Sequence, residues 1–204
     1  MKTKPILTIS FLSLSIILFS FVAPPAVVKY KVDTKQSTLE WTGEKVTGKH
    51  HGTVPIASGD LSAEGTLIKD GNFDITVSSL TVTDLTDAES NAKLTKHLKS
   101  DDFFGVEKYP TANFTIVSVT PKSGSEYTVK GKLTIKGKTN VIEFPAKVTN
   151  EGKSLVATAQ IAVDRSKYDI KYGSKTFFDN LGDKYIYDEF KLDLKLVANP
   201  ATGA

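Results

Sequence analysis

The residues able to do chemistry in this chain are few, and poorly spaced for it. His50 and His51 are adjacent in a segment that reads as a strand, so their rings leave on opposite faces and cannot share one metal without local distortion. His97 follows Leu94 by three residues and stands beside Leu98, which places it on a helix among apolar neighbours. No carboxylate or histidine recurs near any of the three at metal-ligand spacing. Packed or hydrogen-bonded histidines are the better reading, and no metal is expected. Cysteine is absent, which removes disulfides, thiolate nucleophiles and Cys-ligated zinc together. There is no Gly-x-Ser-x-Gly elbow and no phosphate loop. Asp84, Asp87, Glu89, Asp101 and Asp102 supply carboxylates, but no pattern pairs two of them across a cleft. Asp164-Arg165 ends an otherwise apolar strand. An arginine there can stand at a pocket mouth and meet a phosphate or polar head group. It can equally form a buried or rim ion pair, which is the favoured reading. Catalysis and cofactor binding therefore find no support in the side chains.

The aromatic residues are more informative. Trp41, Phe73, Phe103, Phe104, Phe114, Tyr168, Phe177 and Phe178 fall on strand faces or on two connecting segments. They read either as ordinary core or as the lining of a cavity for a long apolar ligand, with the connecting segments closing its mouth.

The elements that must position them are mostly strands. Between residues 126 and 136, Tyr127, Val129, Gly131, Leu133 and Ile135 share one face while Thr and Lys take the other. Residues 137–140 read as a turn, 141–149 as the returning strand, 150–153 as a second turn and 154–163 as the next strand. Ile186, Asp188, Phe190, Leu192, Leu194 and Leu196 alternate with polar neighbours near the C-terminus. Earlier strands are expected at 39–46, 51–56, 61–68, 73–80 and 111–119. One helix is expected, opened by the capping-box spacing of Thr86 and Glu89, with Leu94 and Leu98 as its buried stripe. Ser100-Asp101-Asp102 can cap a further turn carrying Phe103 and Phe104. Residues 166–184 read as a long loop with a helical turn around Phe177 and Phe178. About eight antiparallel strands and few helices favour a sandwich or a barrel. Gly43, Gly65 and Gly131 either leave room inside such a barrel or mark bulges and bends.

The chain has 204 residues, 40% hydrophobic and 24% charged, which excludes a disordered chain and allows one domain with a real core. Net charge is +3 without clustering, so a nucleic-acid partner is not expected. Lys2 and Lys4 precede an uncharged apolar stretch from Ile6 to Val22, and Ala23 and Ala26 follow. That is the tripartite pattern of a secretory signal over residues 1–26, with the domain in 27–204. A retained membrane anchor is the alternative.

The run His97-Leu98-Lys99-Ser100-Asp101-Asp102-Phe103-Phe104-Gly105-Val106-Glu107-Lys108-Tyr109-Pro110 resembles the signature of the YceI-like family. Val129 to Gly137 resembles that family's hairpin. Asp33, Ser37 and Trp41 resemble its first strand, Gly48 to Gly52 its His-Gly segment, and Asp164-Arg165 with Tyr168 and Ile170 a later one. The resemblance covers roughly residues 28–197. It implies an all-β fold with one or two short helices, a lipocalin-like antiparallel β-barrel of about eight strands. It implies a polyisoprenoid or similar amphiphilic lipid inside, export to the periplasm, and no catalytic residue, metal or cofactor. Gln36 stands where many members carry histidine, and Trp41 where many carry phenylalanine. Arg165, Tyr168, His51 and His97 are the candidates for polar contacts at the mouth. Membrane contact is expected only transiently or through an uncleaved signal, and a homodimer is allowed. An enzyme acting on such a lipid, or a ligand-free envelope scaffold, are the alternatives.

Overall fold

A computed structural model of the chain describes residues 26–201. The expected signal segment lies outside them except for Ala26. Ten strands form one antiparallel sheet: β1 (Val27–Val32), β2 (Thr38–Lys45), β3 (Gly48–Thr53), β4 (Ile56–Glu64), β5 (Leu67–Ile75), β6 (Ala112–Pro121), β7 (Glu126–Ile135), β8 (Lys138–Glu151), β9 (Ser154–Asp164) and β10 (Ile186–Pro200). The sheet closes because β10 returns to pair with β1. The same edge of β10 also carries β2, with Lys195 facing Thr38 and Ala198 facing Val32. β1 and β2 are thus one barrel position interrupted by residues 33–37. β3 and β4 repeat the arrangement opposite them, pairing with β2 and β1. Ten strands fill eight positions, which is the expected barrel.

The interruption at 33–37 is held by side chains. The Asp33 carboxylate accepts from the Lys35 and Gln36 amides and from Gln36 Nε2 at 2.7 Å. Gln36, the departure from the family pattern, therefore supplies its own polar contact. Ser37 Oγ accepts from the Val197 amide at 2.9 Å.

Strand limits differ from expectation where a turn hides in an alternating run. The expected strand at 61–68 is the end of β4, a turn at Gly65-Thr66 and the start of β5, because Gly65 takes φ 63° without a side-chain penalty. The expected strand at 73–80 stops at Ile75, and Val77–Ser79 form a 3-10 turn. The turn placed at 137–140 is only Lys136-Gly137, with φ 50° and 70°, so β8 already begins at Lys138. The strand expected at 51–56 breaks before Ile56, and β1 was not foreseen at all.

The helix α1 (Ala88–Lys99) is present, but Asp87 caps it rather than Thr86, accepting from the Ser90 amide at 2.8 Å. Leu98 is buried, and the turns after it carry Phe103 and Phe104 under one end of the barrel. Residues 81–83 run along the free edge of β3, where the Thr81 and Thr83 amides donate to Thr53 and His51 carbonyls. That edge is covered rather than left open to another chain.

The three glycines behave differently. Gly65 is the turn just described. Gly43 opens space, since a Cβ there would meet only Trp41, at 4.0 Å. Gly131 is already filled: a Cβ would lie 2.2 Å from the Phe114 ring and 2.8 Å from the Thr115 carbonyl oxygen. Gly131→Ala is therefore expected to push Phe114 off its seat and lower stability by about 1–3 kcal/mol, read as a lower urea midpoint at unchanged slope.

Candidate functional site

Inward-facing residues of a closed sheet alternate with outward ones, and here the inward set is apolar but does not fill the interior. Two chambers lie along the barrel. The proximal one offers about 130 Å³ to the centre of a water molecule. Trp41 and Gly43 come to it from β2, Phe190 and Leu192 from β10, and Leu98, Phe103 and Phe104 from the helical segment. Ile170, Ile186 and Tyr187, from the loop after β9 and the start of β10, complete its rim. The distal chamber offers about 100 Å³ and is lined by Phe73, Phe114, Phe144, Ala146, Ala157 and Ala159, among others. Leu39, Ile75, Leu133 and Leu192 line both chambers and form a waist between them. Apart from the flank of Arg165, the side chains that line these chambers are apolar or aromatic, so the space favours hydrocarbon over water.

Trp41, Phe103, Phe104 and Arg165 thus meet at the proximal chamber, and Phe73 and Phe114 at the distal one. The remaining sequence candidates lie elsewhere. His51 is on the outer surface, its Nδ1 3.2 Å from Thr83 Oγ1. His97 stands behind the chamber wall, edge-on to Phe103 and Tyr172, with Asp102 at 3.3 Å. Tyr168 is packed in the core at 1% exposure. Phe177 and Phe178 are exposed on the loop, where both their amides donate to the Ser174 carbonyl in a single helical turn, and 3-10 turns fall at Arg165–Tyr168 and Gly182–Lys184. Phe144 and Phe190 were missed, although their inward register on alternating strands is the same signal that marked Phe73 and Phe114. The waist residues carried no separate signal, because a leucine at a waist reads like any core leucine.

Arg165 is a tether. It is 4% exposed. Nε donates to the Tyr187 carbonyl at 3.1 Å, Nη1 to Ile170 and Tyr172 at 3.0 and 2.8 Å, and Nη2 to Ile186 at 3.0 Å. Asp188 Oδ1 lies 3.2 Å from Nη2 as the counter-charge, while Oδ2 accepts from Thr176 Oγ1. The guanidinium therefore ties the outgoing limb of the loop to its returning limb and spends its donors on the protein. Burial pulls its pKa below the usual arginine range, and Asp188 opposes that pull. The buried ion pair is the observed state.

The Tyr168 hydroxyl is buried without a hydrogen-bond partner. Burial, helped by the Asp164 charge, pushes its pKa up to about 12. On the outer surface, burial raises the Asp84 pKa, but the His50 hydrogen bond at 2.8 Å and the His51 amide outweigh it, and the carboxyl sits below its ordinary value. Among the described residues, no three His, Asp or Glu side chains converge as a metal site.

Fold and cavity define a hollow antiparallel β-barrel of lipocalin-like architecture. The family model described as YceI-like domain matches residues 30–198, and the chain belongs to that family. It is 44% identical over 64 residues to a UPF0312 protein of Photorhabdus laumondii, an alignment spanning 31% of this chain and 33% of that relative. This chain therefore aligns with only about a third of the length of that curated relative. Two solved structures share the fold. A polyisoprenoid binding domain from Saccharophagus degradans aligns with TM-score 0.63 at 17% identity, over 85% of this chain and 99% of that one. BcnA of Burkholderia cenocepacia aligns with TM-score 0.62 at 23% identity, over 82% and 99%.

Two outcomes follow from these contacts. Arg165→Met leaves Asp188 and four carbonyls without their partner, and is expected to cost about 3–5 kcal/mol in denaturant unfolding. Arg165→Lys, with the charge but fewer donors, falls between the two. Tyr168→Phe removes only an unpaired hydroxyl and is expected to raise stability at pH 7 by about 1 kcal/mol. The folded pKa of Tyr168 is above the ordinary value of 10, so its ionisation leaves stability untouched below pH 10, and above that the unfolded chain loses the proton first and stability falls as pH rises towards 12. Melting curves between pH 9 and 12 are expected to fall more steeply for the wild type than for Tyr168→Phe.

Proposed function

We propose that this chain is an exported, periplasmic carrier that binds an amphiphilic lipid, of polyisoprenoid or isoprenoid-quinone type, by burying its tail in the barrel. The observation that carries the reading is the pair of adjoining apolar chambers, closed laterally by the sheet and roofed by Phe103, Phe104 and the loop that Arg165 tethers. Each Å² of tail moved from water into such a lining gains about 25 cal/mol. The likeness to the polyisoprenoid binding domain from Saccharophagus degradans supports the same ligand class. Lys2, Lys4 and the apolar stretch after them support export. The reading is of a binding protein rather than an enzyme. Arg165 is engaged with four carbonyls and Asp188. A head group is therefore left to rim backbone and solvent, and the tail supplies most of the affinity.

Native mass spectra of the protein purified from the periplasm without detergent, followed by solvent extraction, are expected to show a stoichiometric isoprenoid lipid. Gly43→Leu places a side chain into the proximal chamber where only Trp41 stands near. That variant is expected to fold, to be exported and to carry no lipid. An apo mass that candidate lipids leave unchanged would falsify the carrier reading, and recovery from the cytoplasm would end the periplasmic one.

A further inference from the structure

The two chambers differ in how they are kept open, and the difference bears on how much of a tail they take. In the proximal chamber the space lies over Gly43, beneath the edge-on pair Phe104 and Phe190, whose centroids are 6.4 Å apart. In the distal chamber it lies over small side chains on two neighbouring strands. Ala146 on β8 is the register partner of Ala159 on β9, and Ala157 is the partner of Val148. Phe144, two residues before Ala146 on β8, and Phe114 from β6 stand beside them, with ring centroids 5.7 Å apart. Replacing either alanine of the facing pair by leucine adds a side chain of nearly the size of the space itself.

We propose that the tail passes the waist of Leu39, Ile75, Leu133 and Leu192 into the distal chamber, and that the small side chains of the facing alanines Ala146 and Ala159, the row next beyond the waist, give it the room to enter. This rests on the carrier reading and adds a length limit to it. An apolar cavity of about 150 Å³ holds one benzene ring, six carbons. By that measure the proximal chamber of about 130 Å³ and the distal one of about 100 Å³ each take roughly one five-carbon isoprene unit. The preferred ligand class is a lipid with a short prenyl tail, of about two units buried. Further units lie outside the rim and add little, because their surface stays in water.

Trp41 is the only tryptophan in the chain and lines the proximal chamber, so its fluorescence reports entry of a tail without a label. The probes are prenyl alcohols of one, two, three and four isoprene units. Wild-type affinity is expected to rise at least about tenfold from one unit to two, then by less than about twofold up to four. Ala159→Leu is expected to weaken the two-unit alcohol at least about tenfold and to leave the one-unit alcohol within about twofold, since that probe needs only the proximal chamber. Ala146→Leu, from the neighbouring strand, reads the same limit if Ala159→Leu does not fold. A wild-type affinity that keeps climbing through four units overturns the length limit and leaves the carrier reading standing. So does a folded variant that binds one and two units with equal loss, or with none. Failure of the wild type to bind any of the four overturns the carrier reading and this inference with it.

Discussion

Closure of the sheet at β10 is the contact on which the rest of the structure depends. This strand of 15 residues pairs with β9 along one edge and with both β2 and β1 along the other. An open sheet of these strands would expose one apolar face and two unpaired edges, and either is a route to aggregation. Closed, it encloses the apolar face and turns it into an interior. The step between β1 and β2, held by Asp33 and Ser37, lets two strands share one edge of β10 without a gap in the barrel wall.

That interior is not packed to the density of an ordinary core, and the vacancy has a cost. At about 24 cal/mol for each Å³, the proximal chamber alone corresponds to a loss on the order of 3 kcal/mol. The net stability of a domain is only about 5–15 kcal/mol. Valine or leucine in place of Gly43, Ala146 or Ala159 would recover part of the loss. These small residues therefore work against stability and in favour of room, and a bound tail would restore the missing contacts. Rigidity is supplied beside the vacancy instead. Arg165 draws Ile170, Tyr172, Ile186 and Tyr187 to one point, so the loop over the proximal chamber is held by five polar contacts where packing is thin.

The strand-rich character, the order of most elements and the single helix were legible in the residues, because period-two alternation needs no knowledge of partners. The limits failed where a turn used one glycine inside an alternating run, as at Gly65, or where Lys136 took a left-handed conformation ahead of Gly137. Of the candidate residues, Trp41, Phe73, Phe103, Phe104 and Phe114 line the chambers, while Tyr168, Phe177, Phe178, His51 and His97 lie elsewhere. Aromatic character alone cannot separate a packed ring from a lining ring or an exposed one.

What the sequence by itself determined is the face of each strand that turns inward, the cap region of the helix and the absence of cysteine chemistry. These are local properties, carried by the alternation of apolar and polar side chains and by residue identity. Tertiary structure alone decided which inward positions face empty space. Gly131 and Gly43 are the same residue on the same kind of face, yet Phe114 fills the space over one and only Trp41 approaches the other. It also decided the role of Arg165, whose five partners come from residues 170 to 188 and meet only when the loop returns on itself. Cavity and tether both depend on distances between segments far apart in the chain, and no local pattern carries such distances.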